Sequence, residues 1–431
     1  MSGVHAPHYK NTTNSIRVRI PAPKLVRLPM NMAFGAPSKV TVAVGDLVKV
    51  GQPIGEPGGF VSAYTHATVS GKVTAIEDFV SFNGGKTQCV VIENDFNMTP
   101  WEGVKPPVIT DSASFVEAIK QSGLIGLGGA GFPAHVKFAV KDPKVVDYIL
   151  INGAECEPYI TSDARTMTED TDYVFKGAEL IRKYVGTPDT QIILCVEDNK
   201  PDQIAIFKAR ENEIPNFRVE AMPSIYPQGG EKVQVYNVTG RIVPEGGLPL
   251  DVGCIVSNVT SVAFVAKYVE TGMPLVDKSF TVDGSAVKKP GNYMAPIGTP
   301  IKDILDFVER KAEVKKILYG GPMMGFAALN EEQPLLKNNN AILAFDEKDA
   351  RTPAPTPCIN CGRCVDACPL NLMPNRMAKA YEQRNLEALK RLHIMHCMEC
   401  GCCTFVCPAK RELGMSHKLA KAFVKENTPK K

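Results

Sequence analysis

The chain has 431 residues, is 44% hydrophobic and 22% charged, and carries a formal net charge of +3. These are proportions of ordinary globular protein, with enough length for two to four domains and several buried cores. No uncharged apolar run approaches the roughly 18 to 20 residues of a membrane span, and the first ten residues lack a basic stretch leading into an apolar one. The expected location is therefore the cytosol or the cytosolic face of a membrane, where thiols stay reduced.

Residues 1–105 form the first expected unit. Over 35–97, apolar and polar positions alternate between glycine turns, as in Val40-Thr-Val-Ala-Val44, Gly45-Asp46 and Ser70-Gly71. That pattern predicts short β-strands. It resembles the barrel-sandwich fold of lipoyl and biotinyl carriers, notably in Val48-Lys-Val-Gly51-Gln52-Pro53-Ile54 and Val69-Ser-Gly71-Lys-Val. A carrier needs an exposed lysine at its hairpin tip, and Tyr64-Thr65-His66-Ala67 has none, so the module is expected to be structural.

Residues 106–275 change to an α/β pattern. Helices are expected over Ser112 to Ser122, Tyr173 to Tyr184, from Pro201, and over Glu231 to Val238; buried strands are expected over Val145 to Ile151 and Ile192 to Val196. Such alternation predicts a mostly parallel, helix-covered sheet with ligands at strand C-terminal ends. Gly123-Leu-Ile-Gly126-Leu-Gly128-Gly129-Ala130-Gly131-Phe132-Pro133 packs five glycines into nine residues. Gly126, Gly128 and Gly131 match G-x-G-x-x-G, but a helix precedes them where the dinucleotide fingerprint requires a strand. The loop still suits an anion: glycines admit close approach of backbone N–H groups, Pro133 suits a helix start, and Lys137 follows one turn later. Asn152-Gly-Ala-Glu155-Cys-Glu157-Pro158 then places two acids and an amide at the mouth of a strand, where sugar hydroxyls and a heteroaromatic ring are better matches than a core. Tyr226-Pro-Gln-Gly229-Gly230-Glu231 and the N-cap candidate Ser257-Asn258-Val-Thr260 follow.

Residues 276–345 return to short strands and one helix from Ile301 to Glu309, resembling the ligand-binding β-grasp (SLBB) domain; packing between neighbours is its expected role. Residues 346–357 are a charged, proline-rich, semi-rigid linker. Residues 358–431 hold two near-identical runs, Cys358-x-x-Cys361-x-x-Cys364-x-x-x-Cys368-Pro and Cys397-x-x-Cys400-x-x-Cys403-x-x-x-Cys407-Pro. This is the spacing of two-cluster bacterial ferredoxins, in which the fourth cysteine of each run ligates the other cluster. The expected ligands are Cys358, Cys361, Cys364 and Cys407 for one [4Fe–4S] cluster, and Cys397, Cys400, Cys403 and Cys368 for the second. Zinc knuckles use two cysteines each and do not need this pattern. Cys402 fails the spacing, and Cys89, Cys156, Cys195 and Cys254 are expected to be buried apolar side chains. From Cys358 onward 13 Lys and Arg stand against 6 Asp and Glu, so this part carries +7 and the remainder −4. A basic face suits an acidic protein or an anionic membrane surface; nucleic acid is not expected, because no recognition motif or aromatic-interleaved basic patch accompanies it.

Taken in order, these α/β loops resemble the flavin-bearing, NADH-oxidising subunit of respiratory complex I, with its G-R-G-G-A-G-F-P, N-A-D-E-x-E-P, G-E-E and N-V-E-T segments. With the carrier-like module and the ferredoxin-like tail added, the whole chain resembles the RnfC family, which belongs to the Rnf complex, a membrane-bound NADH:ferredoxin oxidoreductase. The resemblance implies FMN and two [4Fe–4S] clusters as cofactors and NADH as substrate. Hydride would pass to FMN and single electrons through the clusters to partner subunits. It implies integral membrane and other Rnf subunits as partners, ferredoxin as acceptor of the whole complex, and a peripheral place on the cytoplasmic side of the membrane. Carried over by residue, Gly128, Gly129, Gly131 and Lys137 would hold FMN phosphate, and Asn152, Asn258 and Thr260 the rest of the flavin. Phe132 would stack on the nicotinamide nucleotide, with Glu157 and Glu231 on its hydroxyls. Gly126, Glu155, Tyr226, Gly229 and Gly230 complete the cofactor-binding set. No catalytic side chain is implied, since the flavin mediates the reaction. The chain departs from the complex I pattern at Leu127, Ala154, Gly230 and Thr260, where that pattern has arginine, aspartate, glutamate and glutamate. Two other readings are a cobalamin-reducing flavo-iron–sulfur protein, in whose family the cluster motifs precede the β-grasp domain, and an electron-transfer scaffold without nicotinamide chemistry.

Overall fold

The computed structural model describes residues 2–80 and 84–428. The N-terminal part contributes eight strands: β1 (Arg17–Arg19), β2 (Leu25–Pro29), β3 (Lys39–Val40), β4 (Leu47–Val48), β5 (Pro53–Glu56), β6 (Thr65–His66), β7 (Gly71–Val80) and β8 (Lys86–Asn94). Seven of them build a four-stranded sheet β2-β8-β7-β4 and a three-stranded sheet β3-β5-β6, while β1 joins a sheet of the third part. His66 lies on β6 and is buried, not displayed at a tip.

A parallel sheet of order β11-β10-β9-β12 forms the centre of the α/β part, from β9 (Tyr148–Gly153), β10 (Gln191–Glu197), β11 (Phe217–Met222) and β12 (Cys254–Asn258). Side chains alternate between its faces, as strand geometry requires. Ile149, Ile151, Ile192, Leu194 and Val196 join the large core shared with the helices and the N-terminal sheets, while Leu150, Ile193 and Cys195 face a smaller core on the other side. The helices are α1 (Ser112–Gln121), α2 (Ala134–Phe138), α3 (Ser162–Glu169), α4 (Thr171–Val185), α5 (Pro201–Lys208), α6 (Glu231–Thr239) and α7 (Val259–Thr271). Asp111 and Ser114 form a reciprocal cap on α1. Helices α4 and α7 touch at Gly177, where a Cβ would sit 2.0 Å from the Val262 carbonyl oxygen. The expected helices and strands are present. The sequence reading missed α3, β11 and β12: α3 has only Ala164 and Met167 as apolar residues, and β12 runs straight into an apolar helix.

The third part, β13 (Asp277–Asp283), β14 (Gly291–Pro296), α8 (Ile301–Phe307), β15 (Lys316–Tyr319), β16 (Phe326–Ala327) and β17 (Ala341–Phe345), makes a sheet of order β1-β14-β13-β17-β15-β16. Strands β13 and β17 run parallel, with Thr281 opposite Ala341. Since Thr281 is the fifth residue of β13, the segment leading into β17 runs beside the start of β13. The C-terminal part is helical: α9 (Arg363–Asp366), α10 (Pro374–Glu382), α11 (Leu386–Arg391), α12 (Cys402–Phe405) and α13 (Leu413–Glu426). Its two cysteine runs share one backbone path. Asn360 and Glu399 have φ 55° and 59°, Gly362 and Gly401 have φ 80° and 81°, and a one-turn helix follows each. The left-handed residues turn the chain tightly enough for three thiols to converge.

Candidate functional site

Strand order reverses beside β9: its neighbour on one side is β10 and on the other β12. This switch point is where open α/β sheets bind ligands. Asn152 and Asn258 end the two diverging strands and stand opposite each other in register. The Asn152 amide donates to the Gly229 carbonyl at 2.8 Å, bringing the 226–231 loop over the strand ends. Asn258 caps α7 by accepting from the Thr260 and Ser261 N–H groups. Its amide nitrogen donates to Asp163 Oδ2 at 2.8 Å, and the Thr260 hydroxyl donates to Asp163 Oδ1 at 2.7 Å. Asp163 thus brings a carboxylate from α3 next to position 260, where the complex I pattern has glutamate. No motif in the sequence singled it out.

The glycine loop lies across this end of the sheet. Gly126 N–H donates to the Phe132 carbonyl, and Gly131 N–H to the Gly126 carbonyl, closing the loop on itself. Gly128 passes so near Asn258 that a Cβ there would lie 2.8 Å from the amide nitrogen. Gly129 and Gly131 have φ 123° and 67°, which only glycine adopts freely. The N–H groups of Gly128, Gly129 and Ala130 have no acceptor among the described residues. Lys137 Nζ donates to the Val256 carbonyl at 2.6 Å and to Glu231 Oε1 at 3.0 Å, so it belongs to this mouth, as does Glu231. Phe132 is half-buried, its ring 6.0 Å from that of exposed Phe34. The loop with the three N–H groups passes against Asn258, Asn152 stands opposite Asn258, and Lys137 reaches the same strand at Val256. That set fits a phosphorylated heteroaromatic ligand such as FMN.

Three predicted contacts point elsewhere. Glu155, at φ 51°, turns its carboxylate onto the α3 N-terminus, accepting from Asp163 N–H at 2.6 Å and Ala164 N–H at 3.3 Å. A carboxylate there satisfies donors the helix leaves free. Burial pushes Glu155 up to about 7, with Lys10 opposing the shift. Glu157 accepts from Met323 N–H at 3.0 Å and Met324 N–H at 2.8 Å; burial raises it too to about 7. It ties the switch-point loop to the β15–β16 connection, with both oxygens engaged. Tyr226 is buried and donates its hydroxyl to the Cys400 carbonyl at 2.7 Å. Gly230 lies at the interface with the cluster part, where a Cβ on it would strike Met398 Cε at 2.2 Å, while Gly229 packs on the switch-point loop and donates its N–H to Cys156 Sγ at 3.4 Å.

Beyond that interface are two cysteine-lined cavities. One is bordered by Cys358, Cys361, Cys364 and Cys407, the other by Cys368, Cys397, Cys400 and Cys403, with Cys402 also on its lining. The fourth thiol of each set comes from the other run, and four converging thiols are the donor set a cubane cluster requires. N–H groups of Asn360 and Leu372 donate to the sulfurs of Cys358 and Cys368, each at 3.4 Å. Cys361 is exposed and Cys358 half-buried, whereas three of the second set are buried. His417, which the sequence did not flag, sits with Nδ1 3.7 Å from Cys397 Sγ. Cys402 is buried against the Tyr226 carbonyl.

The fold and these sites define a flavo-iron–sulfur electron-transfer protein. Family comparison agrees in domain order: residues 1–97 match the RnfC barrel sandwich hybrid domain, 119–267 the Nuo51 FMN-binding domain, 279–327 the SLBB domain and 353–408 the 4Fe-4S dicluster domain. The chain is 40% identical to a subunit of the proton-translocating ferredoxin:NAD(+) oxidoreductase complex of Clostridium ljungdahlii, covering 87% of this chain and 83% of that one. It is 39% identical to the corresponding subunit of the Na(+)-translocating complex of Acetobacterium woodii, over 89% and 87% of the two chains. The fold also matches an NAD+-reducing [NiFe]-hydrogenase, with TM-score 0.51 and 19% identity over 74% of this chain and 63% of that chain. The chain belongs to the RnfC family, whose members are subunits of ion-translocating ferredoxin:NAD+ oxidoreductase complexes.

Proposed function

We propose that this chain is the nicotinamide-side subunit of such a complex, peripheral on the cytoplasmic face of the membrane, with integral membrane subunits as partners and ferredoxin as the acceptor of the whole. FMN, when bound, exchanges a hydride pair for single electrons, which neither a nicotinamide nor a cubane cluster does alone. Lys137 and the N–H groups of Gly128, Gly129 and Ala130 hold its phosphate, Gly131 shapes the loop, Asn152 and Asn258 fix the ligand's orientation, and Thr260 is placed by Asp163. Phe132 and Glu231 face the nucleotide. Glu155, Glu157 and Tyr226 have structural parts: the first two anchor the loop, and the third joins it to the cluster domain. The ligand sets are Cys358, Cys361, Cys364 and Cys407, and Cys397, Cys400, Cys403 and Cys368.

The observation that carries this reading is the contact of Tyr226 and Gly230 with Cys400 and Met398. It supports a reading in which Cys400 of the second set stands beside the 226–231 loop while the first set, with exposed Cys361, is nearer solvent. Clusters held by these two sets would supply one-electron transfer, the second set on the flavin side and the first toward a partner.

Anaerobically purified protein supplied with FMN should have its flavin absorbance bleached by NADH and then show electron-spin signals from two reduced clusters, with about eight irons per chain. Flavin-loaded protein that NADH neither bleaches nor binds would refute the nicotinamide role.

A further inference from the structure

The glycine loop is held from behind by another domain. Lys278, buried at the start of β13, donates from Nζ to the Leu127 carbonyl at 3.0 Å. Asn340 and Asn338, just before β17, donate to the Gly128 and Gly129 carbonyls at 3.4 and 2.9 Å. Buried Lys337 donates to the Gly123 carbonyl at 2.9 Å. Because β13 and β17 are parallel neighbours, Lys278 and residues 337–340 reach the loop as one row.

In a trans peptide the C=O of one residue and the N–H of the next point in opposite directions. Fixing the carbonyls of 127, 128 and 129 therefore aims the N–H groups of Gly128, Gly129 and Ala130 away from β13 and β17. These are the three N–H groups that have no acceptor among the described residues. A run of glycines has no intrinsic preference for such an arrangement and loses much conformational freedom on adopting it. Successive backbone N–H groups aimed at one side make an anion-binding concavity.

We propose that Lys278, Asn338 and Asn340 are positioning residues for the FMN phosphate: the SLBB domain preorganises the glycine loop without touching the ligand. This rests on the FMN reading above. It gives the SLBB domain a role beyond packing and accounts for lysine buried beneath a loop of exposed glycines.

The test uses the full-length, cluster-loaded chain stripped of flavin, with binding of FMN and of riboflavin followed by flavin fluorescence. Asn340→Leu and Asn338→Leu keep side-chain size and remove the donor without adding a charge, at half-exposed positions; Lys278→Met removes the buried ammonium; Lys302→Met, on α8, is the control. FMN affinity should fall about tenfold in each Asn→Leu variant and further in the double variant, while riboflavin affinity changes less than about twofold. Lys302→Met should match the parent. Parent binding with unchanged FMN affinity in the double variant would overturn this inference alone, and so would equal loss for FMN and riboflavin. A parent that binds neither ligand would instead remove the FMN reading beneath it.

Discussion

Glu157 shows how one side chain's partners change what a substitution should do. Its carboxylate accepts two N–H groups from the 323–324 turn, and the same turn presents the Met323 carbonyl to Gly401 in the cluster domain. Glu157→Ala should therefore lower thermal stability and cluster retention, with little rise in the KM for NADH. Losing the two charge-assisted bonds from a buried site costs about 1.5–3 kcal/mol each at most. A variant with unchanged melting and a KM raised severalfold would return Glu157 to the nucleotide. Lys137 is the contrasting case, because its ammonium lies at the mouth beside Glu231. Lys137→Ala should weaken FMN roughly ten- to a hundredfold and riboflavin much less, from loss of about 1.5–3 kcal/mol of phosphate contact. Equal loss for both would place the phosphate elsewhere.

At the scale of elements, the buried lysines give the junction between the first, second and third domains a pH signature. Lys337 donates to Gly123 and lies beside His66, itself buried; desolvation alone lowers Lys337 to about 7 from 10.5. Above 7 the unfolded chain binds the proton more readily than the folded one, so this group's contribution to stability grows as pH rises and is lost as pH falls through 7. The melting difference between parent and Lys337→Met should accordingly widen in the parent's favour between about pH 7 and 9. A constant difference would mean Lys337 is not a depressed titrating group. The cluster elements offer a second check. With Cys361 exposed and the second set largely buried, an iron chelator should remove the outer cluster first. Cys403→Ser should lose one cluster signal, while Cys402→Ser, changed at a thiol turned toward the Tyr226 carbonyl, should keep both. Loss of a cluster in both variants would show the ligand register to be wrong. Much of this was legible in the sequence because cysteine spacing, glycine loops and strand-end asparagines are local signals. Asp163, Lys278 and Asn340 were not, since they matter only through hydrogen bonds to residues at least 95 positions away. The hydrogen-bond partners of Glu155 and Glu157 were not legible either, because a motif locates a carboxylate but not the backbone N–H groups that it accepts from.

Across the whole molecule, three modules converge on one loop and a fourth docks against its exit. The N-terminal module donates Phe34 N–H to the Gly131 carbonyl, Lys278, Asn338 and Asn340 at the β13–β17 end of the third sheet hold the carbonyls of 127–129, and the parallel sheet presents Asn152 and Asn258. The cluster domain closes on the opposite side through Tyr226 and Met398. Removing residues 277–345 should therefore abolish flavin binding even though none of them is proposed to touch flavin. The proposed function assigns redox chemistry to this chain and ion movement to its partners. Among the described residues no helix is long and apolar enough to cross a membrane. The isolated, FMN-loaded protein should reduce ferricyanide with NADH, yet added to ion-tight vesicles it should move no ions. Ion uptake by vesicles containing this chain alone would overturn that division. So would an absolute need for membrane subunits before NADH could reduce ferricyanide, because every residue proposed to hold FMN and the clusters lies within this one chain.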